Sequence, residues 1–210
     1  MFRSIGGFPS SFAILICLAC QSVAGTTDTR SQAIGWELER DVETPSYAVT
    51  QPASTDLNID SIVLSCEQGP RRRGLQLRLY LSGDRPLAPL GAGKDLEDGP
   101  TVDMIIDGSR HFVQLLFADV FVVVADTADG AMPLLSDAVL DVLQTGRRME
   151  LRFQLVKVPR GQAPAFDGFA VVDLQAGGGG AAVAAVRRCA GELSTMKTNE
   201  SRTPLLLDEA

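Results

Sequence analysis

Strict alternation between apolar and polar residues in two segments constrains this fold most. Residues 75–81 read LQLRLYL and residues 148–158 read RMELRFQLVKV. The apolar positions are Leu75, Leu77, Leu79 and Leu81 in the first segment and Met149, Leu151, Phe153 and Leu155 in the second. A period of two is typical of a β-strand that buries one face and exposes the other to solvent. We therefore expect sheets with one solvated face.

A hairpin is predicted where Asp107 and Gly108 separate residues 101–106 from residues 109–118. Both central residues of a two-residue type I′ turn need positive φ, which Asp-Gly tolerates. Further strands are predicted at residues 33–40, 59–66, 121–125 and 166–175. Loops are predicted at residues 44–55 (with a short strand at 47–50), 82–100 and 126–133.

Two short helices complete the predicted elements. Residues 136–145 are amphipathic; Ser136 or a neighbour can cap the start, Asp137 favours the positive end, and Gly146 is predicted to supply a left-handed stop. The glycine run at residues 177–180 is interpreted as a flexible turn into a second helix at 181–189.

These elements predict a mainly β fold, an antiparallel β-sandwich or barrel with two short helices. The chain has 210 residues, of which 45% are hydrophobic and 21% charged, which is ordinary for a globular protein. We expect one β-rich domain over residues 33–191 and a disordered polar tail over residues 192–210.

The first 24 residues have the pattern of a secretory signal peptide. One base, Arg3, precedes the apolar run at 12–20, and the small residues Ser22 and Ala24 occupy the −3 and −1 positions of a cleavage site. The run is shorter than the roughly 20 residues of a membrane-spanning helix. We expect a periplasmic or secreted protein. Two alternatives remain, a lipid anchor at Cys20 and a buried N-terminal strand or helix.

Cleavage leaves two of the four cysteines, Cys66 and Cys189. An even count in an oxidising compartment predicts one disulfide, which would staple the second helix to the strand ending at Cys66. Two buried thiols are the alternative. No metal or other cofactor is expected, because His111 is the one histidine and neither cysteine has a C-x-x-C neighbour.

Three patterns resemble parts of catalytic or cofactor sites. Gly177, Gly179 and Ala182 fit a dinucleotide-loop pattern, but almost no strand follows them, so we interpret them as a simple loop. Residues 123–128 (VVADTA) resemble an aspartic-protease motif and are interpreted as an acidic turn. Asp167 and Asp173 could serve as a glycosidase acid and base if they lie close together. We predict no catalytic residues.

Seven arginines occur in short runs that could bind anions or an acidic partner if they converge. They are Arg71, Arg72, Arg73, Arg147, Arg148, Arg187 and Arg188. The formal net charge of −7 argues against nucleic-acid binding, which depends on neutralising phosphates.

The order of features over residues 36–190 resembles one group of exported bacterial proteins. The matching features are Trp36, Cys66, the hairpin at 102–108, the helix at 136–145, the strands at 149–155 and 166–174, and the helix at 183–189. The chain is similar to the type VI secretion-associated VasI-like proteins and, more distantly, to the invasion-associated locus B proteins. The resemblance implies a periplasmic or surface protein without recognised catalytic residues.

The sequence therefore favours a non-catalytic exported protein that binds another envelope or secretion component. It is not expected to be an integral membrane protein. Two alternatives remain open, a β-barrel module for a small or lipidic ligand and a periplasmic hydrolase that uses carboxylates.

Overall fold

The two alternating segments are central strands of two antiparallel sheets. The computed structural model of the chain describes residues 35–83, 85–90, 96–118, 120–157 and 165–199. The predicted signal peptide, with Cys20, lies outside the described residues. The strands are β1 (Glu37–Leu38), β2 (Tyr47–Thr50), β3 (Ser54–Thr55), β4 (Ile59–Gln68), β5 (Arg73–Leu81), β6 (Leu96–Ile106), β7 (Ser109–Phe112), β8 (Gln114–Phe117), β9 (Phe121–Ala125), β10 (Thr127–Asp129), β11 (Met132–Leu134), β12 (Arg148–Val156) and β13 (Gly168–Asp173).

The first sheet has the strand order β1-β2-β4-β5-β9-β8, and the second has the order β3-β13-β12-β6-β7. Strands β10 and β11 form a separate two-stranded hairpin. Both large sheets contribute to one buried apolar cluster. The antiparallel sandwich is therefore confirmed. The barrel alternative is wrong, because each described sheet ends in two edge strands instead of closing on itself.

The core lies between the facing sides of the two sheets. Leu77 and Leu79 of β5 and Leu151 and Phe153 of β12 are completely buried, as the alternation predicts. Burial of each such side chain contributes about 1.5–3 kcal/mol to folding. The intervening residues face outward, so each sheet also has an outer face that can meet a partner or ligand.

The Asp107–Gly108 turn has the predicted type I′ geometry, with φ of 47° at Asp107 and 86° at Gly108. The Asp107 carboxylate also accepts hydrogen bonds from the backbone amides of Arg147 (2.9 Å) and Arg148 (3.0 Å). The turn thereby anchors the start of β12.

Several local predictions are wrong. Residues 96–100 belong to β6 and not to the predicted loop at 82–100. Gly146 ends the helix that follows Ser136 in an extended conformation, with φ of −69°, and not in the predicted left-handed one.

Residues 109–118 do not form one strand: β7 belongs to the second sheet and β8 to the first, with Val113 between them. A strand that switches sheets at a corner lets one segment serve both layers of a sandwich. Residues 126–133 are not a plain loop either, because β10 and β11 turn at Gly130, whose φ is 64°.

Both predicted helices are present, and one is stapled by the predicted disulfide. Helix α1 spans Asp137–Thr145, and the Ser136 side chain caps it by accepting from the Val139 amide. A short 3-10 turn at Ala176–Gly178 leads into helix α2, Gly179–Asn199. Cys66 and Cys189 are joined with their α-carbons 6.3 Å apart, which ties α2 to β4.

Helix α2 is longer than predicted and enters the segment assigned to the tail. Residues 192–199 contain neither glycine nor proline, so nothing in them breaks a helix. Residues 200–210 lie outside the described part of the chain. Within the described residues, no helix is long and apolar enough to cross a membrane.

Candidate binding surfaces

The arginine runs divide between separate parts of the fold. A cleft of about 280 Å³ brings together Arg72, Arg73 and Arg187, with Asp137 on its wall. Arg71 instead pairs with Asp129 at 3.2 Å. Arg147 and Arg148 follow the end of α1 beside the Asp107 turn, and they do not line this cleft.

Acidic and polar neighbours hold the guanidinium groups of that cleft. Arg187 donates to Asp141 at 2.7 Å and to Gln144 at 3.0 Å, and it lies 3.8 Å from Asp137. Arg73 donates to Gln68 and to the Cys189 sulfur. Three of the seven arginines therefore lie in one cleft. The charge of one of them, Arg187, is neutralised by Asp137 and Asp141.

The two aspartates considered as a glycosidase pair lie at opposite ends of β13. Asp167 precedes the strand and Asp173 ends it, a separation of about 20 Å at strand spacing. Glycosidase carboxylates lie about 5–9.5 Å apart. Asp167 accepts from the amides of Leu155 and Val156, and Asp173 accepts from the amides that follow β13. This pair therefore does not have the spacing of a glycosidase.

The acidic residues near the VVADTA motif also have backbone partners. Asp126 accepts from the Ser136 amide at 2.7 Å and from its hydroxyl, at the start of α1. Asp129 is buried and accepts from the amides of Arg71 and Arg72. Both carboxylates fix loops to the sandwich.

The glycine run does not form an open dinucleotide loop. Gly177 has a φ of 62°, and its α-carbon packs against the backbone of Gly35. Trp36 follows and lies against Gly179, so its indole covers the start of α2. These glycines allow Gly35 and Trp36 to pack closely against the start of α2. The phosphates of a dinucleotide would need open access to that same position.

The open edges of the two sheets lie along one continuous chain segment. β7 ends the second sheet and β8 ends the first. The opposite edges, β1 and β3, are only two residues long, and very short edge strands resist pairing with other chains. The segment β7–β8 therefore presents the longer unpaired edges of the described sandwich.

Exposed apolar side chains follow this edge. Phe112 is 78% exposed, Phe117 52% and Val120 65%, and Leu116 is also exposed. The Arg110 guanidinium lies 5.1 Å from the Phe112 ring and 2.6 Å from Asp103. We define the edge patch as Phe112, Leu116, Phe117 and Val120. Sequence reasoning missed it, although FVQLLF at 112–117 has five apolar residues in six positions, more than one buried face requires.

The outer face of the second sheet is charged and internally paired. Glu150 contacts Arg152 at 2.7 Å and Arg148 at 3.7 Å. The hydrogen bond and charge of Glu150 raise the pKa of Arg152. Glu150, a single carboxylate, therefore offsets only part of the charge of these two arginines.

No metal-binding cluster is formed by the described residues, since no three His, Cys, Asp or Glu side chains are suitably grouped. Comparison of the chain with protein-family models, curated proteins and solved structures finds no match.

Proposed function

We propose that this protein is a non-catalytic exported protein of the cell envelope that binds another envelope or secretion protein through its β7–β8 edge. The observation that carries the proposal is the coincidence of the unpaired edge with the edge patch. Exposed, unprotected edges pair readily with other chains, and natural sheets usually shorten them or add charge.

The chemistry of this edge favours an extended protein segment as the occupant. The free side of β8 offers backbone amides and carbonyls, which another strand can satisfy. The edge patch supplies apolar contacts beside that ladder. A small molecule could cover the side chains, but it could not pair with the outward-facing backbone groups of alternate residues along β8.

Two features support an envelope location. The pattern of residues 1–24 is that of an export signal, and the Cys66–Cys189 disulfide fits an oxidising compartment. The resemblance of residues 36–190 to VasI-like proteins is consistent with a partner in the envelope or in a secretion apparatus.

Site-specific photo-crosslinking in exporting cells tests this function. A photoreactive phenylalanine analogue placed at Phe117 should capture one discrete envelope protein, identifiable by mass spectrometry. The same analogue at Val42, an exposed apolar residue away from this edge, should not capture it. Equal capture from both positions, or no capture at Phe117, would contradict the proposal.

A further inference from the structure

A groove of about 390 Å³ lies on the outer face of the first sheet, apart from the edge patch. Its lining comes from β2, β4, β5 and Ser46, and none of the edge patch residues line it. This volume lies within the range of about 300–1,000 Å³ typical of ligand sites.

Strand register places an apolar floor between two tyrosines. Val49 of β2 faces Val63 of β4, and Val63 faces Arg78 of β5. Tyr47 lies opposite Ser65, whereas Tyr80 lies opposite Ser61. The groove therefore offers aromatic rings and hydroxyl groups at both ends of a short apolar strip.

The charges in the groove cancel. Arg78 Nη2 lies 2.7 Å from Glu67 Oε1, and Nε and Nη2 also donate to Gln76. The guanidinium lies 4.6 Å from the centre of the Phe121 ring, and that ring lies 5.4 Å from the ring of Tyr80. Donors and acceptors are thus held in fixed positions without net charge.

One hydroxyl in the groove lining lacks a partner. Ser65 is only 6% exposed and lies on the outer face of β4, and its Oγ has no hydrogen-bond partner among the described residues. The Ser65 Oγ exposes less than 1 Å² to solvent, so a ligand hydroxyl can reach it only if a neighbouring groove side chain moves aside. The cost of leaving a buried hydroxyl without a partner favours that movement when a ligand supplies one.

We propose that this groove binds a neutral oligosaccharide. An anion would gain little attraction from Arg78, because Glu67 already neutralises its charge. A lipid chain would gain little apolar contact, because the groove is open and contains only two valines. A sugar has apolar ring faces that pack on tyrosines and hydroxyls that both donate and accept. Those properties match the aromatic ends, the ion pair and the Ser65 hydroxyl.

Amide chemical-shift titration of the disulfide-bonded protein tests the proposal. Cellotriose, maltotriose and triacetylchitotriose are the saccharide probes, with laurate as the apolar probe and inorganic phosphate as the anionic probe. At least one trisaccharide should bind with a Kd of about 1 mM or tighter. The shifts should concentrate on β2, β4 and β5.

Substitutions of groove residues distinguish a role in ligand binding from a role in folding. Tyr47 is 40% exposed, so Tyr47→Ala should fold and lose most binding, whereas Tyr47→Phe should keep it. Ser65→Ala should weaken binding about fivefold without lowering the melting temperature. Phe169→Ala, at an exposed residue of β13 in the second sheet, should bind as the wild type does.

The proposal is overturned if no trisaccharide shifts the groove resonances at about 10 mM, a weak limit for specific binding. It is also overturned if laurate or phosphate alone occupies the groove, or if Tyr47→Ala and Ser65→Ala both bind normally. These outcomes leave capture at Phe117 unaffected, so this proposal and the edge-docking proposal can fail separately.

Discussion

Trp36 lies directly against the α-carbon of Gly179. A β-carbon added to Gly179 would come within 2.1 Å of the backbone carbonyl oxygen of Leu174, and within 2.5 Å of Cδ1 and 2.8 Å of Nε1 of the buried Trp36 indole. The Trp36 contact joins the first described residues of the domain to the start of its last helix, and together with the Leu174 carbonyl it explains why a glycine stands at that position.

Gly179→Ala should therefore destabilise the fold by about 1–3 kcal/mol, the usual cost of overpacking. Urea unfolding followed by fluorescence of Trp36, the one tryptophan, measures the change. Gly191→Ala is the matched control in the same helix. Its β-carbon would meet nothing within 4 Å, so stability should hold or rise. Equal effects at both positions would disprove the packing account.

The Cys66–Cys189 disulfide closes a loop of 123 residues. Replacing both cysteines by serine should lower the free energy of unfolding by about 2–5 kcal/mol. Denaturant titration measures the loss, and reduction of the wild-type protein should lower stability comparably. Alkylation of both sulfurs in unreduced, folded material would show that the bond is not formed.

Glu39 links stability to pH. The hydroxyl and amide of Ser46 donate to its Oε2 at 2.6 and 2.7 Å, and these bonds lower the pKa of Glu39 below its ordinary value of 4.5. The folded state thus binds this proton less readily than the unfolded state. The resulting stability is complete above the ordinary value and is lost as pH falls through the folded-state pKa.

The stability difference between wild type and Glu39→Gln should therefore be largest near neutral pH and shrink as the pH falls below the ordinary pKa of 4.5. Urea midpoints measured across that range provide the test. A difference independent of pH would mean that the Ser46 hydrogen bonds do not control this carboxyl. Glu37→Gln, an exposed acid on β1, serves as the comparison.

Much of the sandwich was predictable from local pattern. Alternation located β5 and β12, and the Asp107–Gly108 pair gave the correct turn because only a few residues tolerate positive φ. The cysteine count gave the disulfide. The strands and the turn are each determined by a few neighbouring residues. The disulfide could be predicted because only two cysteines remain after the predicted cleavage, and they can pair in one way.

The surfaces were less predictable because they depend on distant residues. Residues 109–118 contain neither glycine nor proline, so the sequence does not show that Val113 marks a change of sheet. The arginine runs have partners such as Asp129 and Asp141 that lie far away in sequence. The groove exists because Tyr47, Val63 and Arg78 share a face set by register.

Leu116→Lys places a charge on the open edge and should block partner binding, because edge lysines discourage strand addition. Crosslinking from Phe117 should fall at least about tenfold, equivalent to roughly 1.4 kcal/mol or more. The exposed site should keep stability within about 0.5 kcal/mol of wild type. Val42→Lys is the control and should leave capture intact; undiminished capture by Leu116→Lys would argue against docking at the edge.

Hydrogen exchange with the captured partner tests the central claim most directly. Adding the purified partner should slow exchange of the outward-facing amides in Gln114–Phe117, because they would enter a new hydrogen-bonded ladder. Amides of the short edges β1 and β3 should exchange as before. Protection of another face, with β7 and β8 unchanged, would contradict the proposal that this protein works through its open edge.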